Sequence, residues 1–152
     1  MKTKSRIITE KIKEKLETIT AGAEFINTAI LVDTSGGFDQ SQLEQGVCIN
    51  ISFSGEEKRD SQPHTQLEEI NLIIEAHKLV AASGVVLYEG LDLLGDLKKS
   101  LLTDKTYLSG LCRIDLTHIE SSSVRQSDDG AAVISTVQLS TVYVEKHNAI
   151  FN

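Results

Sequence analysis

The stretch LCRIDLTHIESSSVRQ (111–126), SDDG (127–130), AAVISTVQLSTVYVE (131–145) decides how this chain folds. In its first part Cys112, Ile114 and Leu116 alternate with Arg113, Asp115 and Thr117. In its last part Val133, Val137, Leu139 and Tyr143 alternate with Ile134, Thr136, Gln138 and Ser140. A period of two sends successive side chains to opposite faces of a strand. Between the two parts, Ser127-Asp128-Asp129-Gly130 reads as a hairpin turn, because Asp-Gly tolerates positive φ at little cost. The spacing therefore predicts two long antiparallel strands near the C-terminus.

Upstream, residues 85–102 read as a helix, with Leu87, Leu91, Leu94 and Leu101 on its apolar face and Leu97 alongside. Gly90 and Gly95 each weaken that helix by up to about 1 kcal/mol relative to Ala and suggest close approach of another backbone. Lys98 and Lys99 suit the negative end of its dipole. Residues 67–80 fit a helix through Leu67, Ile70 and Ile74, or a strand alternating Ile70, Leu72, Ile74 and Ala76 against Asn71, Ile73, Glu75 and His77. The strand is preferred, paired with VCINISF (47–53), where Val47, Ile49, Ile51 and Phe53 oppose Cys48, Asn50 and Ser52. The polar run 54–66, with Pro63, is expected to be a solvated connection, and 34–46 a loop.

Residues 24–33 are expected to form a further strand. Residues 2–19 predict an amphipathic helix: Ile8, Ile12, Leu16 and Ile19 fall on one face, with lysines and glutamates around it. The order helix, three strands, helix, two strands implies an α+β fold, an antiparallel or mixed sheet with an N-terminal helix and a second helix packed on it. The expectation is one domain over 1–152 with a short C-terminal tail, 146–152.

At 152 residues a single domain buries roughly 70% of its unfolded surface and needs no staple. Cys48 and Cys112 lie far apart among apolar neighbours and read as small buried hydrophobes, although their pairing stays open at this point. The N-terminus has helical charge spacing without the apolar core of a signal peptide, and no apolar stretch approaches ~18 residues, so no membrane partner is expected. The net charge of -7 opposes gripping nucleic acid by its phosphates.

Residues with chemistry do not cluster. His64, His77, His118 and His147 fall on a loop, two strands and the tail, with no HExxH or HxH pair, so no metal is expected. Neither a GxSxG elbow nor a phosphate-binding glycine motif is present. No cofactor and no catalytic residue are expected. Were the chain a small enzyme instead, His118, Asp115 and Ser122 would be the first residues to suspect.

The succession of an N-terminal amphipathic helix, a strand, VCINISF (47–53), a polar interruption, LEEINLIIEAHKLV (67–80), a helix around GLDLLGDLKKSLL (90–102) and the long hairpin 111–144 resembles the tail terminator, or tail completion, proteins of long-tailed bacteriophages. The likeness is one of architecture and covers most of the chain; the added tail KHNAIFN (146–152) departs from it. It implies a virion protein assembled in the host cytoplasm, a homohexameric ring capping the head-proximal end of the tail. Such a ring stops tube growth and meets the tail tube protein on one side and a head-completion or connector protein on the other. DNA would pass through without specific binding. Glu56, Glu57, Lys58, Arg59, Glu120, Arg125, Asp128, Asp129, Ile150 and Phe151 are the expected interface residues, since polar loops, a protruding hairpin and an apolar tail suit contact. The competing readings are another head–tail connection or tail-tube subunit, a small cytoplasmic enzyme, or an adaptor domain.

Overall fold

The computed structural model describes residues 1–34, 37–62 and 65–146, without the side chains of 58–62, 65 and 146. Helix α1 (Lys4–Leu16) begins where Thr3 accepts the Arg6 N–H at its hydroxyl, and it buries Ile8, Ile12 and Leu16 completely. Burying each such side chain contributes about 1.5–3 kcal/mol. Its exposed side carries the ion pairs Lys2–Glu10, Arg6–Glu10, Lys11–Glu14 and Lys13–Glu17. Exposed pairs of this kind add little each.

The strands are β1 (Ala29–Asp33), β2 (Val47–Gln62), β3 (Thr65–Leu79), β4 (Arg113–Gln126) and β5 (Ala132–Lys146), with α2 (Gln40–Gln45) before β2 and α3 (Val86–Leu102) before β4. A short 3-10 turn, Lys105–Leu108, follows α3. They form one mixed sheet in the order β1-β2-β3-β5-β4, in which only β1 and β2 run parallel. This is the expected α+β class. Pairing across Ile51↔Ile74 and Ile74↔Val137 lines up Ile49, Ile51, Ile70, Leu72, Ile74, Val137 and Leu139 on one face, under α1 and α3. The turn after β4 closes through the Gly130 N–H to the Ser127 carbonyl, with Gly130 at φ 75°, as Asp-Gly predicts.

Several expectations are corrected. The strand expected over 24–33 is only Ala29–Asp33, because residues 26–27 are tied to α3 instead: Asp96 accepts from the Ile26 and Asn27 backbone N–H groups and from the Asn27 amide. The expected loop 34–46 contains α2, held by a capping box in which the Asp39 carboxylate accepts the Gln42 N–H and the Gln42 side chain accepts the Asp39 N–H. The expected solvated connection 54–66 is mostly strand. β2 and β3 stay paired out to Gln62↔Thr65, and β5 runs beside β3 to Thr65↔Lys146, so two backbone ladders support the polar arm.

The apolar face of α3 is also rotated from the expectation. Gly90, Leu93, Leu94, Leu97 and Leu101 are buried, whereas Leu87 and Leu91 are exposed. Close approach at Gly90 explains the rotation. A Cβ there would lie well inside van der Waals contact of Val124 and 2.9 Å from Val133 Cγ2, and the Ser135 hydroxyl donates to the Gly90 carbonyl at 2.7 Å. Gly95 meets nothing within 4 Å and serves no such approach.

In β4 the alternation is broken by register shifts between Arg113 and His118 and between Ile119 and Ser121. Thr117 is consequently buried, with Ile114 and Leu116 half-buried.

Candidate assembly interface

The sheet has two borders. One is β4, an edge strand along its whole length; the other is β1, with β2 continuing beyond it, since β1 pairs only with Val47–Asn50. Unpaired N–H and C=O groups at such borders are templates for another strand.

On the β4 border, His118 Nε2 lies 2.8 Å from Glu120 Oε1, and Arg125 donates to Glu75 on β3 at 3.2 Å. Arg113 grips Asp115 through two hydrogen bonds, and that contact holds the Asp115 carboxyl below its usual range. Glu56 and Glu57 are exposed on the far part of β2, on the opposite border. Lys58 and Arg59 lie on β2, but their side chains fall outside the described residues, as do Ile150 and Phe151 altogether. Asp128 and Asp129 occupy the β4–β5 turn. Asp129 accepts from the Ser127 hydroxyl at 2.6 Å and the Ala131 N–H at 3.0 Å, the first of which lowers its pKa most, so it acts as a turn former. Those expected interface residues that are described thus fall on two borders and one turn rather than on one patch.

Sequence reasoning missed the exposed apolar residues. Phe53 is 61% exposed, Leu87 54%, Tyr88 65% and Leu91 48%. Phe53 was expected on the buried side of its strand. It keeps that side but lies in an open groove of about 430 Å³ between α1 and β2, lined also by Arg6, Thr9, Lys13, Thr34 and Ile70. Leu87 and Leu91 stand one turn apart on α3, with Tyr88 beside them.

The residues an enzyme reading would use are not assembled together. His118 is paired with Ser140, on the face of the sheet away from the core, and Ser122 with Val137, on the core face. Among the described residues no three His, Cys, Asp or Glu side chains are grouped to hold a metal, and no helix is long and apolar enough to cross a membrane. Cys48 and Cys112 are free thiols; burial pushes the Cys48 thiol up, while Cys112 is only half-buried. His77 sits on the face opposite the core under the Phe38 ring, 5.2 Å away between centroids, and burial lowers its pKa.

A scan against protein-family models and a search of curated proteins return no match, so no family is assigned to this chain.

Proposed function

We propose that this chain is a structural subunit of a bacteriophage tail that assembles into a ring, caps the head-proximal end of the tail tube, stops its growth and offers the surface that receives the head. The observation that carries this reading is a sheet with no strand beyond β4 or beyond β1 among the described residues, with Ile30 and Phe53 exposed at the β1/β2 border and Leu87 and Leu91 exposed on α3, which packs over β4 and β5. A chain whose two borders match each other closes into a ring when the rotation between copies allows it. The order of elements resembling the tail terminator family supplies the place of that ring. The partners are then copies of the chain itself, six in the family's pattern, with the tube protein below and a connector protein above.

The charge of -7 fits the same role. A lumen bordered by carboxylates repels the phosphates of passing DNA, so the duplex slides without adhering. Disrupting the gene in the phage that carries it should give headless tails of uncontrolled length. Tails of normal length with heads attached would overturn the proposal.

A further inference from the structure

We infer that two copies of this chain pair through the free edge of β4 at residues 121–126, about a two-fold axis that also packs the α3 helices of the two copies against each other. β4 is guarded along only half of its length. Near its start the ladder to β5 is broken by register shifts, the Lys105 ammonium donates to the Ile114 and Thr117 carbonyls at 3.0 Å each, and the Thr117 hydroxyl donates to the Arg113 carbonyl. From Ser121 to Gln126 the pairing with β5 is unbroken, and Ser121-Ser122-Ser123-Val124 carries neither charge nor proline. Edge strands ordinarily carry such guards against pairing. The unguarded half is the template for a second strand.

The helix layer stands at the level of that half. Gly90 rests on Val124 of β4 and Val133 of β5, so α3 lies above the gap between these strands. Glu89 pairs with Lys78, the neighbour of Val133, whereas the Gly90 carbonyl accepts from Ser135 further along β5, so α3 runs antiparallel to β4. Glu89, Asp96 and Ser100 mark the inward flank of α3, through Lys78, residues 26–27 and the Lys15 carbonyl. At about 100° per residue, Leu87, Leu91, Leu94 and Lys98 share the opposite flank, above the free side of β4. Leu87 and Leu91 are exposed there.

A two-fold axis normal to the sheet at Ser123 sets Ser123 against the partner's Ser123 and Val124 against the partner's Ser122, with the helices of both copies on one side. Strands about 4.8 Å apart then bring the two α3 axes to roughly 10 Å, a distance at which helices pack. The axis meets α3 near residue 92, because one strand residue beyond Val124 equals about two helix residues beyond Gly90. Antiparallel packing about that point sets Leu91 against the partner's Leu94, and Leu87 against the stem of the partner's Lys98. Arg125 falls beside the partner's Ser121 and within reach of the partner's Glu120, so opposite charges at the two ends of the edge meet twice. Six strand residues span about 20 Å, and the 17 residues of α3 about 25 Å. With a sheet and one helix layer roughly 20 Å thick, the contact covers about 1,000 Å² in total, the lower end for a specific interface and suited to a joint that opens.

The pair goes beyond the ring reading and bears on it. It occupies the β4 border, so a paired subunit cannot give that border to a ring until the pair opens. Rising concentration favours the ring, which holds more chains.

The test is a disulfide across the axis in the full chain, with Cys112→Ser removing the half-buried thiol and Cys48 staying buried. Opposed residues of antiparallel strands lie about 4.5–5.5 Å apart between Cα atoms, inside the disulfide range. Ser123→Cys should therefore give a covalent dimer with diamide, which takes up the two electrons and two protons. Ser54→Cys, exposed on the other border, should not. Adding Leu91→Asp to Ser123→Cys should slow dimer formation about tenfold or more, since two leucines leave one joint. Circular dichroism establishes that each variant is folded, and Leu91→Ser replaces Leu91→Asp if that variant is not. Cross-linking no faster at Ser123→Cys than at Ser54→Cys, or unaffected by loss of Leu91, would overturn the pairing. The locked dimer should form no six-copy ring until the disulfide is reduced, and rings built from locked dimers would overturn the exclusion. Dimers from a chain that makes no ring at any concentration would leave the pairing standing and remove the ring reading.

Discussion

Substituting Ala at Gly90 and at Gly95 should move stability in opposite directions, though both sit in the interior of α3. In an exposed helix Gly→Ala gains about 0.5–1 kcal/mol, because alanine has less backbone freedom to lose on folding. Gly95 has open space around a new Cβ, so Gly95→Ala should show that full gain, a rise in Tm of about 1–4 °C for a domain of this size. At Gly90 the new methyl would overlap Val124 Cγ1 and crowd Val133 Cγ2 at 2.9 Å. Neither neighbour is the far end of a flexible chain; valine is stiff at χ1, and Val133 is fully buried on the interior strand β5. Overpacking of this kind costs about 1–3 kcal/mol. Set against the helix gain, Gly90→Ala should lose roughly 1–2 kcal/mol net. Displacing α3 would also strain the bond from the Ser135 hydroxyl to the Gly90 carbonyl. Urea titration of both variants measures the contrast. In the double variant Gly90→Ala/Val124→Ala part of the loss should return, as a coupling between touching residues. If Gly90→Ala is as stabilising as Gly95→Ala, the close packing of α3 on β4 and β5 is wrong.

Two further outcomes follow from the same coordinates. Asp96→Ala should destabilise by about 3 kcal/mol in urea titration, since it strands the two buried donors of Asn27 and frees the part-buried Ile26 N–H, and a change under 1 kcal/mol would contradict that role. His77 should make the protein less stable as pH falls below about 6.5: burial depresses its folded pKa, so the unfolded chain takes up the proton first. Glu75 opposes that depression and Arg125 reinforces it. The His77 contribution is present above the ordinary histidine pKa and lost on descending towards the depressed one. Denaturation at pH 7.5 and 5.5 should show a slope that His77→Gln flattens, and an equal slope in both proteins would refute it.

The parts of the fold that were legible in the sequence are those fixed by local apolar spacing. Ile8, Ile12 and Leu16 marked α1, Asp129-Gly130 marked the last turn, and the parity of Ile70, Leu72 and Ile74 marked the buried face of β3. The polar arm 54–62 was not legible, because both of its faces lack an apolar pattern and its strand form comes from backbone ladders to β3. Helix α2 did leave a signal, Asp39 followed by Gln42 three residues on, but no apolar run follows to draw attention to it. The leucines of α3 misled for a different reason. Counting them placed Leu87 and Leu91 inside, whereas the closest contact is made at Gly90, which contributes nothing to an apolar count.

The outer strands of the sheet were hidden because strand order is non-local. Only once β4 and β1 are known to be the outer strands does the exposure of Phe53, Leu87 and Leu91 acquire a meaning. Asp129, by contrast, was expected at an interface from its exposed turn, and is occupied in making that turn.

The central claim is that this chain acts by joining copies of itself through the two borders of its sheet, and the mass of the purified protein in solution tests it most directly. The account predicts one dominant closed species, six copies of the 16.6 kDa chain or about 100 kDa, seen as single rings that do not stack in negative stain. A protein that remains at 16.6 kDa at micromolar concentration, without its partners or with them, would contradict it.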